Sequence, residues 1–293
     1  MSHKNKLPLV DQVKQALDSK LAIGRSKHHD KLSENERKGI TSKYIYSWET
    51  YGSYLKHGCY FVLWCKEKYR CKTLEQCKSH VDEWLESRSA LSASTQKLEA
   101  SSLAKIYDCT TAEFIKTDIR LRKNIKRSRG EKKRDSHFSE AKNWELVEFC
   151  KSTGLRRNEL FSLKGNCLKE KDGIFYIIVR SGAKGGKYRE VPVIRNVDLV
   201  VQIMNQAGDN KVFAKLHNAA DIHSYRSDYA TAVYQANARP LEQIPKCDRY
   251  YCRKDKRGIW YDKDAMKITS KALGHNRISV IAEHYLNNVL FSK

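Results

Sequence analysis

The chain has 293 residues, with 56 Lys and Arg against 34 Asp and Glu for a formal charge of +22. That length suits two domains of ordinary size, and so large an excess of cations points to a polyanionic partner such as nucleic acid. No apolar run approaches the ~20 residues of a spanning helix and residues 1–20 are too polar for an export signal, so the expectation is a soluble, cytoplasmic protein with no membrane partner.

The nine cysteines are then expected as reduced thiols. Cys59, Cys65, Cys71 and Cys77 recur every six residues, a period that matches neither a helix face nor the close pairs of a zinc site. Metal binding is therefore not expected there, and Cys109, Cys150 and Cys167, which stand singly among apolar neighbours, read as core residues.

Residues 1–119 predict a small all-helical bundle. Its first periodic segment is Val13, Leu17 and Leu21, with Leu9 outside it, and it stops before Gly24 and a basic loop holding His28 and His29. A second helix is expected from Ser42 through Trp48, Tyr51 and Leu55 to a break at Gly58. Further helices follow over 61–68, 74–87 and 94–107. The faces carrying Lys43, Lys97 and Lys105 beside Ser and Thr suit phosphate contact and equally suit plain solvation.

Residues 120–135 are expected to be an interdomain linker. Nine basic residues fall between Arg120 and Arg134, among them Arg122, Lys123, Lys126, Arg127 and Arg129, against the single acid Glu131. Such a run cannot bury itself, and along a phosphate backbone it would release counterions.

Residues 136–293 form a second predicted domain of mixed character. A helix over 138–150 with Trp144 and Val147 inward ends at Thr153-Gly154. Three strands follow at 166–171, 174–180 and 188–193, the first two joined by Asp172-Gly173. Helices resume at 197–206 and 222–237. A basic, aromatic insertion at 241–263 holds Tyr250, Tyr251, Arg253, Lys256 and Trp260, with Gly258 at a turn and Cys247 and Cys252 as free thiols. It reads as a hairpin touching DNA or a neighbouring subunit. The last helix carries Ile278, Ile281, Ala282 and Tyr285 at i, i+3, i+4 and i+7, preceded by Gly274 as a helix stop and Asn276 as N-cap.

Four further clusters carry chemistry. Arg156 lies in a turn with Glu159 three residues on, so the carboxylate can aim a planar guanidinium fork at two oxygens of one phosphate. The 182–189 hairpin, with Lys184, Lys187 and Arg189 among glycines, lacks the spacing and the following helix of a P-loop and instead carries an ammonium on a mobile tip. His223 and Arg226 sit one turn apart near a helix start, where the dipole is positive and an anion would relieve them. His275 precedes the Tyr285 helix. A lone tyrosine at such a place is ordinarily a core aromatic with a bonded hydroxyl.

Taken in order, Thr-Gly-Leu-Arg-x-x-Glu-Leu around Arg156, the Lys-Gly-Gly-Lys hairpin leading to Val-Pro, His-x-x-Arg at 223–226, Leu-Gly-His at 273–275 and then Tyr285 resemble the tyrosine recombinase (phage-type integrase) family. The resemblance covers about residues 138–293; the first half is similar only in helical character and position. It implies a mainly α fold with a small antiparallel β-sheet (α+β), made of an N-terminal core-binding domain and a C-terminal catalytic domain. It further implies that Tyr285 attacks a DNA phosphate to give a 3′-phosphotyrosyl bond, that Arg156, Arg226 and His275 hold the non-bridging oxygens, that Lys184 protonates the leaving oxygen and that His223 assists proton transfer. Glu159 would orient Arg156, and Lys43, Lys97, Arg122, Lys123, Lys126, Arg127, Arg129, Lys187 and Arg189 would touch DNA. A phenol is a poor nucleophile at neutral pH without cations nearby, which agrees with this set.

No metal, nucleotide or other cofactor is implied, because the phosphotyrosine conserves the bond energy. The implied partners are double-stranded DNA, three further copies of the chain in a tetramer, and the accessory bending or directionality factors that the family admits; in a bacterium the protein would be nucleoid-associated. His275 and Tyr285 stand one residue further apart than is usual in the family, which leaves His284 as a second imidazole near the phosphate. A recombinase of a mobile element is the first reading. A type IB topoisomerase and a catalytically silent DNA-binding protein are the alternatives.

Overall fold

The computed structural model describes residues 7–27, 29–30, 42–119, 121, 138–180, 188–253 and 256–286. Lys184, Lys187, the basic residues Arg122, Lys123, Lys126, Arg127 and Arg129, and the tail from Asn287 lie outside the described residues. The chain divides into two compact units, residues 1–128 and 129–293. The fold is mainly helical with small antiparallel sheets.

The first unit is built on a long helix. Helix α1 (Leu9–Asp18) starts a turn earlier than expected, directly after Pro8, and buries Leu9, Val13 and Leu17 along one face. Helix α2 (Trp48–Tyr69) is capped by Ser47, whose hydroxyl accepts from the Thr50 amide at 3.2 Å, so residues 42–46 are not part of it. It also runs straight through Gly58. A Cβ at that position would stand 2.5 Å from Ile106 Cδ1 and 2.9 Å from Val13 Cγ1, so this glycine does not break the helix but lets two neighbouring helices approach it. The helix expected separately at 61–68 is the second half of α2, with Phe61, Val62 and Cys65 in the core.

The segment expected as one helix over 74–87 is two, α3 (Leu74–Lys78) and α4 (Val81–Ser87), the former closed by a Thr73/Gln76 capping box. Helix α5 (Ala93–Ile106), capped by Ser92, completes the core with Leu103 and Ile106. Cys65, Cys71 and Cys77 are buried in that core. Lys43 and Lys97 are exposed, but Lys105 is not: it is 7% exposed and donates to the Ser42 carbonyl. Lys105 is therefore removed from the solvent face on which it was expected.

In the second unit, helix α6 (Trp144–Thr153) ends at Gly154 in a left-handed conformation, φ +56°. A Cβ there would also meet the Tyr229 ring at 2.3 Å, so glycine is required twice over. Val147 is inward as expected, whereas Trp144 is 53% exposed because it opens the helix instead of lying mid-face. Helix α7 (Arg157–Ser162) leads into strands β1 (Leu168–Lys171), β2 (Ile174–Val179) and β3 (Arg189–Pro192), an antiparallel meander in that order. Asp172 and Gly173 both have positive φ, the requirement of a two-residue hairpin turn that pairs Lys171 with Ile174.

Helix α8 (Val197–Ala207) is followed by α9 (Ile222–Asn237), where Asp221 accepts from the Ser224 amide as N-cap. Helix α9 packs on α6 and on α10 (Lys263–Ala272) and buries Tyr225, Arg226, Tyr229, Ala230, Val233 and Tyr234. The insertion forms a two-stranded hairpin, β4 (Arg249–Tyr251) against β5 (Trp260–Asp262). Last comes α11 (Ser279–His284). Among the described residues no helix is long and apolar enough to cross a membrane.

Candidate active site

Three helix ends converge at one point. Helix α10 closes with a Schellman turn, in which the Gly274 amide donates to Lys271 O at 2.9 Å and the His275 amide to Ser270 O at 2.8 Å. Gly274 takes φ +68°, and a Cβ there would lie 2.9 Å from Arg189 Cδ. The turn throws His275 inward and leaves the Leu273 carbonyl free of a helical donor. Arg156 Nη2 takes up that carbonyl at 3.1 Å, and Arg226 Nη2 donates to it as well.

Arg226 is 2% exposed. Its Nη1 donates to the Gly154 carbonyl at the end of α6, while its Nε faces the Tyr285 hydroxyl at 3.2 Å. Burial, with Arg156 and Arg189 adding to it, pushes this guanidinium down to about 10, which leaves it charged at neutral pH. Two helix-end carbonyls thus hold a buried cation in place, and its third nitrogen is aimed at the phenol.

His275 Nε2 lies 3.2 Å from the same hydroxyl. Burial first, then Arg226, Arg156, Arg189 and His284, push His275 down to about 4, so the imidazole is neutral at physiological pH. His223 is exposed at the second residue of α9, with its ring centroid 5.5 Å from that of Tyr285. Tyr285 itself is 5% exposed and is the residue just past α11, its amide donating to Ile281 O at 3.0 Å. Asn276 is not the N-cap that the sequence suggested: α11 begins three residues later, behind Ile278 and without a side-chain cap. His284 approaches the Glu283 carboxylate at 3.8 Å.

Arg156 is held from two sides. Its Nη1 donates to Glu159 Oε1 at 2.8 Å and its amide to Oε2 at 2.7 Å, so the carboxylate fixes both the side chain and the first turn of α7. The same carboxylate receives a bidentate pair from Arg189, at 2.6 and 2.7 Å. Burial alone would raise Glu159, but the Arg189 bonds and charge, followed by those of Arg156, outweigh it and hold the acid below its ordinary value.

Arg189 was expected at a DNA-facing hairpin and is instead 8% exposed inside this network. The reason is register: opposite Val179 in β3 it points to the same side as Val191, whose side chain is in the core. That alternation of Arg189, Val191 and Val193 was legible in the sequence. A second residue had no such signal. Arg157 donates to the carbonyls of His217 (3.0 Å), Asn218 (3.2 Å) and Ala220 (2.6 Å), tying α7 to the segment that leads into α9.

A cleft of about 270 Å³ is lined by Arg156, Arg157, Ala220, Ile222, His223 and Arg226, the last of which also bonds the Tyr285 hydroxyl. Three guanidiniums and the His223 imidazole around a small cleft, with the Tyr285 hydroxyl bonded to one of those guanidiniums, suit a tetrahedral anion and its attack by that hydroxyl.

The fold is that of the tyrosine recombinases. Over 95% of this chain and 94% of theirs, it superposes on the XerH site-specific recombinase in a pre-cleavage complex with its difH substrate, at TM-score 0.53 and 16% identity. The post-cleavage complex of XerH with a palindromic difH substrate gives TM-score 0.50 and 17% identity, over 95% and 93% of the two chains. No family model and no curated protein matches the chain by sequence.

Proposed function

We propose that the protein is a site-specific DNA recombinase that cuts and rejoins DNA through a 3′-phosphotyrosyl intermediate. The observation that carries this reading is the position of the Tyr285 hydroxyl, 3.2 Å from both Arg226 Nε and His275 Nε2, with Arg226 itself lining a cleft together with Arg156 and His223. The likeness to XerH, a recombinase caught with its DNA substrate before and after cleavage, supports DNA as the partner.

In the proposed reaction the Tyr285 oxygen attacks a backbone phosphorus, the P–O5′ bond breaks, and the 5′ oxygen leaves as a hydroxyl. The phenolic proton passes to the imidazole of His275 or His223, and Lys184 supplies the proton to the leaving oxygen. Arg156 and Arg226 stabilise the added charge on the non-bridging oxygens as the phosphorane forms, the stage at which preorganised cations matter most. Religation is the same step in reverse with a 5′ hydroxyl as nucleophile. The bond energy stays in the phosphotyrosine, and a tetramer on two duplexes would exchange strands in sequence.

The test begins by selecting the preferred site from a random duplex library. A nicked duplex carrying that site traps the intermediate, because the short cleaved strand diffuses away. A covalent protein–DNA band is expected on a denaturing gel, absent for Tyr285→Phe at equal DNA binding. No band from the wild-type protein on DNA it binds would refute the reading.

A further inference from the structure

The inserted hairpin reaches the candidate nucleophile from behind. Lys256 donates through Nζ to the carbonyls of Ala282 and Leu286, the latter at 3.1 Å, and Tyr261 donates its hydroxyl to Leu286 O at 3.0 Å. These carbonyls stand three residues before and one residue after Tyr285. We propose that Lys256 and Tyr261 are positioning residues, and that the hairpin is a brace which fixes the turn carrying the reactive hydroxyl. This rests on Tyr285 being the nucleophile.

The need for a brace follows from α11 itself. Six residues without a side-chain N-cap are too few to hold a helix by propensity. The ammonium sits where the helix dipole is negative and carbonyls lack intrahelical donors, so it stabilises that end by charge and by hydrogen bonding together.

The brace is in turn anchored on α9. Tyr261 is 1% exposed and packs edge-on against Tyr234 at 5.6 Å, and the Tyr234 hydroxyl accepts from the Asp262 amide at 2.9 Å. At the foot of the hairpin, Arg239 bonds Asp248 at 3.0 Å and Asp262 at 2.8 Å. Helix α9 also carries His223 and Arg226. One rigid element therefore references both sides of the attack, the cations directly and the phenol through the hairpin. A displacement near 1 Å of a reacting group costs about a hundredfold in rate.

Full-length wild type, Lys256→Gln, Lys256→Arg and Tyr261→Phe are compared on the nicked duplex, measuring affinity and the single-turnover rate of covalent capture at saturating protein. Lys256→Gln should bind DNA within about twofold of wild type and form adduct about ten- to a hundredfold more slowly, with Lys256→Arg restoring most of the rate. Equal rates for Lys256→Gln and wild type would overturn the proposal, as would a parallel loss of affinity, which marks a DNA contact. If Lys256→Gln loses the thermal transition of the wild type, Tyr261→Phe decides: slowed capture at unchanged affinity supports the brace, and a wild-type rate overturns it. Absence of adduct from the wild type refutes the recombinase reading instead, so the two failures are distinct.

Discussion

Replacing Arg189 by methionine keeps most of the side chain's length and removes its charge. It strips two bonds of 2.6 and 2.7 Å from a carboxylate whose side chain is 1% exposed, while Arg156 keeps its own two at 2.7 and 2.8 Å. Removing one partner from a buried ion pair costs about 3–5 kcal/mol, and the surviving Arg156 bonds place this case at the lower end, about 3. Urea unfolding at pH 7 should then show a midpoint lower by about 1 M, for an m-value of about 3 kcal/mol/M. The sign of the pH dependence is set by Glu159. Its folded pKa lies below the ordinary 4.5, so its contribution is present above 4.5 and is lost as pH falls through the depressed folded value. The gap between wild type and variant should narrow on acidification below 4.5. A midpoint shift under about 0.2 M, or a gap that stays constant into strong acid, would refute the assignment of Arg189 to the Glu159 clamp.

Two further outcomes are expected. His275, pushed from 6.5 to about 4 chiefly by burial, should show no imidazole NMR titration between pH 5 and 8; its stabilising contribution is present above 6.5 and lost as pH falls through 4, and a midpoint above 6 would contradict the buried, cation-flanked site. In urea unfolding, Gly154→Ala should cost about 2–4 kcal/mol, because a left-handed φ and a collision with the Tyr229 ring act together, whereas Gly173→Ala, left-handed but facing open space, should cost about 1–2.

Local chemistry made part of this protein legible from its residues alone. The Asp172-Gly173 turn, the left-handed stops at Gly154 and Gly274, and the Ile222–Asn237 helix follow from backbone preference and apolar period, which need no knowledge of distant residues. The ordered motifs around Arg156, His223 with Arg226, His275 and Tyr285 were legible for the same reason: each chemical group sits in a short segment of recognisable local form. What the chain could not disclose locally is which neighbour a residue meets. Gly58 reads as a helix break until Val13 and Ile106 are seen pressing against it, and Lys105 reads as a surface cation until Ser42 offers it a carbonyl. Lys256 reads as one charge in a basic loop, and only the packing of the hairpin behind α11 brings its ammonium to the carbonyls beside Tyr285. Propensity and period act over one or two turns of chain, whereas these roles depend on contacts between residues 26 to 63 positions apart, which burial and hydrogen-bond satisfaction settle only once the whole unit has packed.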